Sequence, residues 1–247
     1  MTRFIAHRGF SKEEKQNTVN AFRCASTSDA YGIETDVRIT KDGVFVAFHD
    51  KSTARLSGKY KIIEETYFED VQKLKVYDGQ RRHKIPTFIE FLQNCKSGNK
   101  KAIVEIKSDL TKEQTENLIR IIESEDYLSN TVFISFNAQV LKFIREKVPS
   151  QPIQMLAMRF CKVDLEFLKE YRFGLDISHW QLTKDRVDKC HEHGIDVNCW
   201  TVNSCRRAGS LQQWGVDYIT TDKRNLSRNL MSFSPLKQPE IPLLNYS

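Results

Sequence analysis

Short apolar runs alternate along this chain with segments whose apolar residues recur every three or four positions. The short runs predict strands at 4–6, 32–39, 44–48, 101–107, 131–136, 153–157, 174–177, 196–202 and 217–220. Amphipathic stretches between them predict helices over 18–30, 87–95, 111–124, 137–147, 164–171, 183–193 and 204–214. Such alternation implies βα units around a parallel sheet. Nine strand-like runs exceed an eight-stranded barrel by one, and the turn Thr40-Lys41-Asp42-Gly43 accounts for the surplus. So short a link joins only antiparallel neighbours, whereas parallel strands need a crossover of about a dozen residues or more. The arm at 44–48 is therefore read as half of a β-hairpin after the second strand, leaving eight strands and an α/β fold of the (β/α)8 TIM-barrel kind.

Local chemistry supports these boundaries. Thr111-Lys112-Glu113-Gln114 has the form of a capping box, and Gly194 and Gly215 stand where helices should stop before a strand. The stretch 51–86 breaks the rhythm, carries its own weak helix over 68–75, and is read as a small insertion near the barrel mouth. Residues 1–231 are expected to form one barrel domain. The segment 232–247, with Pro235, Pro239 and Pro242, is expected to be an extended C-terminal tail.

Composition narrows the class. A chain of 247 residues with 40% hydrophobic content can bury a full core. No run approaches the ~18 consecutive apolar residues of a membrane span, and the N-terminus enters strand chemistry at Phe4 without a signal-like segment, so a cytoplasmic protein without stable membrane insertion is expected. Cys24, Cys95, Cys161, Cys190, Cys199 and Cys205 are scattered without a C-x-x-C pair, which suits free thiols in a reducing compartment. Lys and Arg exceed Asp and Glu by 38 − 32 = 6. The basic residues fall in small groups without interleaved aromatics, which argues against a nucleic-acid partner and for a solvated basic face that draws in an anionic small molecule.

The polar residues at the strand ends carry the chemistry. Glu34 and Asp36 are two apart, so on a strand both face one way, and in a barrel that way can be inward. Two inward carboxylates need a cation, and Glu105 at another strand end offers a third oxygen donor. A carboxylate site suits Mg²⁺ or Ca²⁺. The competing arrangement pairs Glu34 and Asp36 with Arg38 or Lys107 and holds no metal. His7 and His49, each beside a charged residue at a strand end, suit a general acid and base near neutral pH. Arg8 offers a planar fork for phosphate oxygens and Lys107 a point charge beside a metal ligand. Together these groups read as phosphoryl chemistry on an anionic substrate.

His7-Arg8-Gly9, Asn17-Thr18, Glu34-Thr35-Asp36-Val37, Thr40-Lys41-Asp42-Gly43, His49-Asp50, Ile85-Pro86-Thr87, Glu105-Ile106-Lys107, Trp200-Thr201-Val202-Asn203 and the run from Gly215 to Asp222 resemble, in order, the glycerophosphodiester phosphodiesterase family. The resemblance implies a phospholipase-C-like barrel with its site at the C-terminal face. It implies metal ligands at Glu34, Asp36 and Glu105, an acid–base pair at His7 and His49, phosphate contacts from Arg8 and Lys107, and Trp200 in the pocket wall. The implied reaction splits a glycerophosphodiester such as glycerophosphocholine into glycerol 3-phosphate and an alcohol. The family pattern P-E-N-T is replaced by Lys15-Gln16-Asn17-Thr18, so neutral Gln16 stands where a carboxylate is usual. The insertion at 51–86 is expected to cover the alcohol group.

The alternative on the same scaffold is a lysophospholipase D or sphingomyelinase D-like phosphodiesterase, which an apolar groove or aromatic patch at the mouth would favour. Within the insertion only Tyr60, Tyr67, Phe68 and Tyr77 offer such a patch. His191 and His193, two apart on a helix, point away from each other and suit a helix C-terminus. His179 could approach the pocket, His83 carries no role, Trp180 is read as core, and Phe136 is read as a pocket wall.

Overall fold

In the computed structural model, which describes residues 1–232, β-branched and aromatic runs form the strands β1 (Arg3–Ala6), β2 (Gly32–Ile39), β3 (Phe45–Ala47), β4 (Val76–Tyr77), β5 (Arg82–His83), β6 (Lys101–Ile106), β7 (Thr131–Ser135), β8 (Ile153–Ala157), β9 (Gly174–Ser178), β10 (Val197–Trp200) and β11 (Tyr218–Thr221). The helices are α1 (Val19–Ser26), α2 (Ala54–Ser57), α3 (Phe68–Lys73), α4 (Phe88–Ser97), α5 (Lys112–Ser124), α6 (Ala138–Lys147), α7 (Leu165–Glu170), α8 (Lys184–Glu192), α9 (Cys205–Gln213) and α10 (Leu226–Ser232).

Strands β1, β2, β6, β7, β8, β9, β10 and β11 pair in parallel in that order, and β11 returns to β1, which closes the ring. This is the expected (β/α)8 barrel. The ninth strand of the sheet, β3, runs antiparallel to β2 with Val37 opposite Ala47 and Ile39 opposite Phe45. The hairpin turn is closed by Gly43 N–H donating to the Thr40 carbonyl.

Side-chain alternation divides the core in two. Outward residues such as Ile33, Val37, Val104, Phe133, Ile177 and Val197 pack under the helices with Phe22, Phe91, Leu118, Leu141 and Val187. Inward Ile5, Ile103, Ile134 and Leu156 form a separate apolar plug inside the barrel. Polar residues occupy the inward positions nearer the C-terminal ends of the strands, so the alternation that builds the barrel also sets out a polar chamber above an apolar floor.

Helix starts follow the capping residues. Thr87 with Glu90 and Thr111 with Gln114 form capping boxes, and Thr18, Asn137, Asp164, Thr183 and Ser204 cap their helices through side-chain oxygens. Helix α1 stops at Ser26 rather than reaching residue 30, because the hydroxyls of Ser26, Thr27 and Ser28 bond back to carbonyls of the last turn. The stretch 51–86 builds its own small core from Leu56, Ile63, Val71, Leu74, Val76 and Ile85 against Val46 and Phe48. It contains a two-residue-arm hairpin, β4 with β5, that is too short to leave a periodic signal. The expected tail lies outside the described residues apart from its first position.

Gly9 ties the loop after β1 to α1. Its φ is +71°, and a Cβ there would meet the Ala21 backbone carbonyl carbon at 2.5 Å and the Ala21 Cβ at 2.6 Å. Gly9→Ala is therefore expected to lower stability by about 2 kcal/mol or more in urea unfolding, through both backbone strain and overpacking. An unchanged midpoint would show that the loop can step away from the helix.

Candidate active site

The inward residues at the C-terminal ends of the strands enclose one cavity of about 260 Å³. It is lined by His7, Arg8, Glu34, Glu105, Lys107 and Trp200, with His49 from beyond β3. Asp36 lies beneath, fully buried. Every site residue expected from the sequence is thus brought to one end of the barrel, where barrel enzymes place their chemistry.

The carboxylates come from two neighbouring strands, since Asp36 on β2 stands opposite Glu105 on β6 in the register. One oxygen from each of Glu34, Asp36 and Glu105 lies within 4.8 Å of the others. Asp36 meets Arg8 Nε at 2.9 Å and Lys107 Nζ at 3.3 Å, and it accepts from Asn17 Nδ2 at 2.7 Å. Burial pushes the Asp36 carboxyl up, but Arg8, Lys107 and His49 outweigh it and hold the group well below the usual carboxylate range. Glu34 receives only the Arg8 backbone N–H, at 2.8 Å, on Oε2, and its buried Oε1 has no hydrogen-bond partner. Burial, then Asp36 and Glu105, raise Glu34 well above its ordinary value. Glu105, 2.5 Å from Lys107 Nζ, is pushed up to about 7 by burial and by Asp36.

Two cationic side chains thus face three buried acids, and Glu34 Oε1 is the cluster oxygen with neither a hydrogen bond nor an ion pair among the described residues. Hard oxygen donors in this arrangement could hold a divalent cation. Arg38 plays no part in neutralising the cluster. Its Nη1 pairs with Glu64 at 2.6 Å, and its Nε and Nη2 donate to the His49 carbonyl. Gln16 Oε1 accepts from Arg8 Nη1 at 2.8 Å. The neutral amide therefore steadies the Arg8 fork without adding a fourth negative charge.

Each histidine is oriented by a carboxylate. His7 Nδ1 is 2.6 Å from Asp222 Oδ1, which also accepts from Ser11 Oγ, while Asn203 Nδ2 donates to Asp222 Oδ2. His49 Nδ1 is 2.7 Å from Asp50 Oδ1, and Arg55 grips Asp50 from the insertion. With Nδ1 committed, Nε2 is the nitrogen left on each ring to exchange a proton. Burial lowers His49 from its ordinary value despite the opposing pull of Asp36. The Asp50 and Asp222 positions belong to the sequence motifs, but their orienting role emerges only from the fold. Asp176 was missed altogether. It lines the cavity from β9, 2% exposed, and its one sequence signal is a carboxylate between Leu175 and Ile177.

Several expectations are corrected. Trp180 is 79% exposed rather than core, because it sits in the single 3₁₀ turn after β9 with its ring against His179. His179 does not line the cavity, since Arg207 binds its carbonyl and its Nδ1. The insertion supplies no residue to the cavity wall, and its aromatics pack at the surface or in its own core. Phe136 and Met158, from the loops after β7 and β8, line that side instead. Phe136 stands edge-on to Trp200, with ring centroids 6.3 Å apart. His83 pairs with Asp78 in the β4–β5 hairpin. His191 at the end of α8 meets Asp217, and His193 just beyond it bonds to the Lys189 carbonyl, as suits a helix C-terminus.

The model of the glycerophosphoryl diester phosphodiesterase family matches residues 7–226. A glycerophosphodiester phosphodiesterase of Caldanaerobacter subterraneus subsp. tengcongensis is 28% identical over 242 residues, covering 93% of this chain and 98% of its own. The structure of a glycerophosphodiester phosphodiesterase from Parabacteroides distasonis superposes with a TM-score of 0.82 at 29% identity, covering 94% of this chain and 97% of its own. An Oleispira antarctica phosphodiesterase, solved in complex with the product sn-glycerol-3-phosphate, shares the fold with a TM-score of 0.85 at 21% identity, over 94% of this chain and 98% of its own.

The Asp222 contacts give a pH signature. Burial alone would raise this carboxyl, but the bonds from His7, Ser11 and Asn203 hold it well below the usual carboxylate range. A depressed folded value adds stability that is fully present above the unfolded pKa of about 4 and is lost as pH falls through the folded one. Asp222→Asn is therefore expected to melt lower than wild type at pH 7, with the gap narrowing below pH ~4. A gap that is constant down to pH 2 would contradict the ionised pairing.

Proposed function

The chain belongs to the glycerophosphoryl diester phosphodiesterase family, a class of phosphoric diester hydrolases, and on that premise we propose that it cleaves small glycerophosphodiesters such as glycerophosphocholine into glycerol 3-phosphate and an alcohol. The observation that carries this reading is the convergence on one cavity of two carboxylate-backed histidines, two cationic side chains and three buried acids. The product in the complex of the Oleispira antarctica relative supports a small glycerol phosphate in a barrel of this kind.

Glu34, Asp36 and Glu105 would hold one Mg²⁺ or Ca²⁺, which when bound would polarise the phosphoryl oxygens and lower the pKa of the attacking water. Arg8 and Lys107 bind and orient the phosphate oxygens, Arg8 as a fork and Lys107 as a point charge. One imidazole Nε2 removes a proton from the attacking water as its oxygen bonds to phosphorus. The other delivers a proton to the leaving oxygen as its bond to phosphorus breaks. His7 and His49 share these two tasks, with Asp222 and Asp50 fixing the tautomers. Trp200 and Phe136 wall the cavity edge to face.

We place the reaction in the cytoplasm, where six unpaired cysteines remain reduced and where glycerol 3-phosphate enters glycerol and lipid metabolism. Among the described residues no helix is long and apolar enough to cross a membrane. A second reading is favoured by one feature, an apolar cavity of about 480 Å³ between β8 and α7. It shares Phe136, Leu156 and Met158 with the reactive cavity and continues past Phe167 and Leu168. Such a cavity suits the single acyl chain of a lysophospholipid.

The test is release of glycerol 3-phosphate from glycerophosphocholine by metal-stripped protein with Mg²⁺ or Ca²⁺ restored, beside lysophosphatidylcholine. Metal-restored turnover of the small diester is the expected result, whereas turnover of the lipid alone would make the second reading the correct one. His7→Ala and His49→Ala are each expected to lower turnover by about a hundredfold or more. Near-normal rates in either would remove that residue from proton transfer. Glu34→Gln is expected to abolish the rise in melting temperature that added divalent ion gives wild type. An undiminished rise would place the ion elsewhere.

A further inference from the structure

Asp176 is a buried carboxyl that nothing among the described residues satisfies. It has no described hydrogen bond, its Oδ1 is sealed from solvent without a partner, and it lines the reactive cavity. On the next strand, Trp200 Nε1 is likewise buried without a partner and lines the same cavity. An unpaired buried polar group costs free energy that a ligand can recover. A carboxyl that can accept and an indole that can only donate together match a group that both donates and accepts, which is a hydroxyl.

The position narrows which hydroxyl. In the ring of eight strands β9 lies four places from β2, so Asp176 stands across the barrel from Glu34 and Asp36. Between them the floor is apolar, made by Ile134 and Leu156. A ligand with its phosphoryl group at the acidic triad, its carbon chain over Ile134 and Leu156, and a polar terminus at β9 spans this chamber. We propose that Asp176, together with Trp200 Nε1, binds the terminal hydroxyl of the substrate's glycerol moiety and so selects glycerol esters from other phosphodiesters. This rests on the glycerophosphodiester reading and deepens it by assigning the residue that recognises glycerol.

The experiment compares kcat/KM for glycerophosphocholine with that for the phosphocholine ester of 1,2-propanediol, which keeps the hydroxyl beside the ester and lacks only the terminal one. The ratio of the two does not depend on how much of a variant is folded. Wild type is expected to prefer glycerophosphocholine by about tenfold or more. Asp176→Leu is expected to bring the ratio close to one, chiefly through KM for glycerophosphocholine, while Asp176→Asn keeps part of the preference. Because Asp176 makes no internal hydrogen bond, Asp176→Leu is also expected to melt at or above wild type. An unchanged ratio in Asp176→Leu, or equal losses on both diesters with a lower melting temperature, overturns the assignment and leaves the functional reading standing. A wild-type chain that cleaves neither diester overturns both.

Discussion

Three carboxylates held within 4.8 Å of one another inside the barrel are the constraint around which the rest of the site is arranged. At that separation each ionised pair repels by about 3–4 kcal/mol for an effective dielectric near 20. Two cationic side chains sit against the cluster: Arg8 pairs with Asp36, and Lys107 is shared between Asp36 and Glu105. The imbalance appears as the raised acids Glu34 and Glu105. A divalent cation would relieve all three repulsions at once, and His7, His49, Arg8 and Lys107 line the same cavity as Glu34 and Glu105.

The scaffold makes such a cluster tolerable. Parallel register puts Asp36 opposite Glu105, and the plug of Ile5, Ile103, Ile134 and Leu156 packs inside the barrel as a separate apolar cluster. The loop after β1 bends back on α1 through Gly9, with Arg8 and Asn17 both at positive φ, and this brings the Arg8 amide to Glu34. On the other side β3 extends the sheet so that Phe48 N–H bonds to the Asp36 carbonyl, which fixes the start of the His49 loop. Arg38 and Arg55 complete that support, one on the His49 carbonyl and the other on Asp50. The insertion therefore supports His49 from behind through Asp50 and adds no residue to the cavity wall.

Much of this was legible in the residues. Strand-like runs and capping boxes gave the eight βα units, and the four-residue turn at Thr40 identified the extra strand as a hairpin arm. The E-x-D spacing of Glu34 and Asp36 put both on one face of the strand, and the barrel turns that face inward. What stayed hidden depends on distance across the barrel. Asp222 is far in sequence from His7, and Asp176 reaches the chamber only because β9 closes opposite β2. Trp180 misled because a large aromatic beside a strand end usually packs inward, and here a 3₁₀ turn carries it out to solvent. The short arms of β4 and β5 are held by the insertion's own core and leave no periodicity of their own.

The acid cluster is expected to bind one hard cation. The direct measurement is calorimetric titration of Mg²⁺ or Ca²⁺ into metal-stripped protein at pH 7, in two buffers of different ionisation enthalpy. Because Glu34 and Glu105 hold protons more tightly than ordinary carboxyls, the expected result is one ion per chain bound with release of protons into the buffer. Absence of saturable binding, or binding that moves no protons, would contradict it.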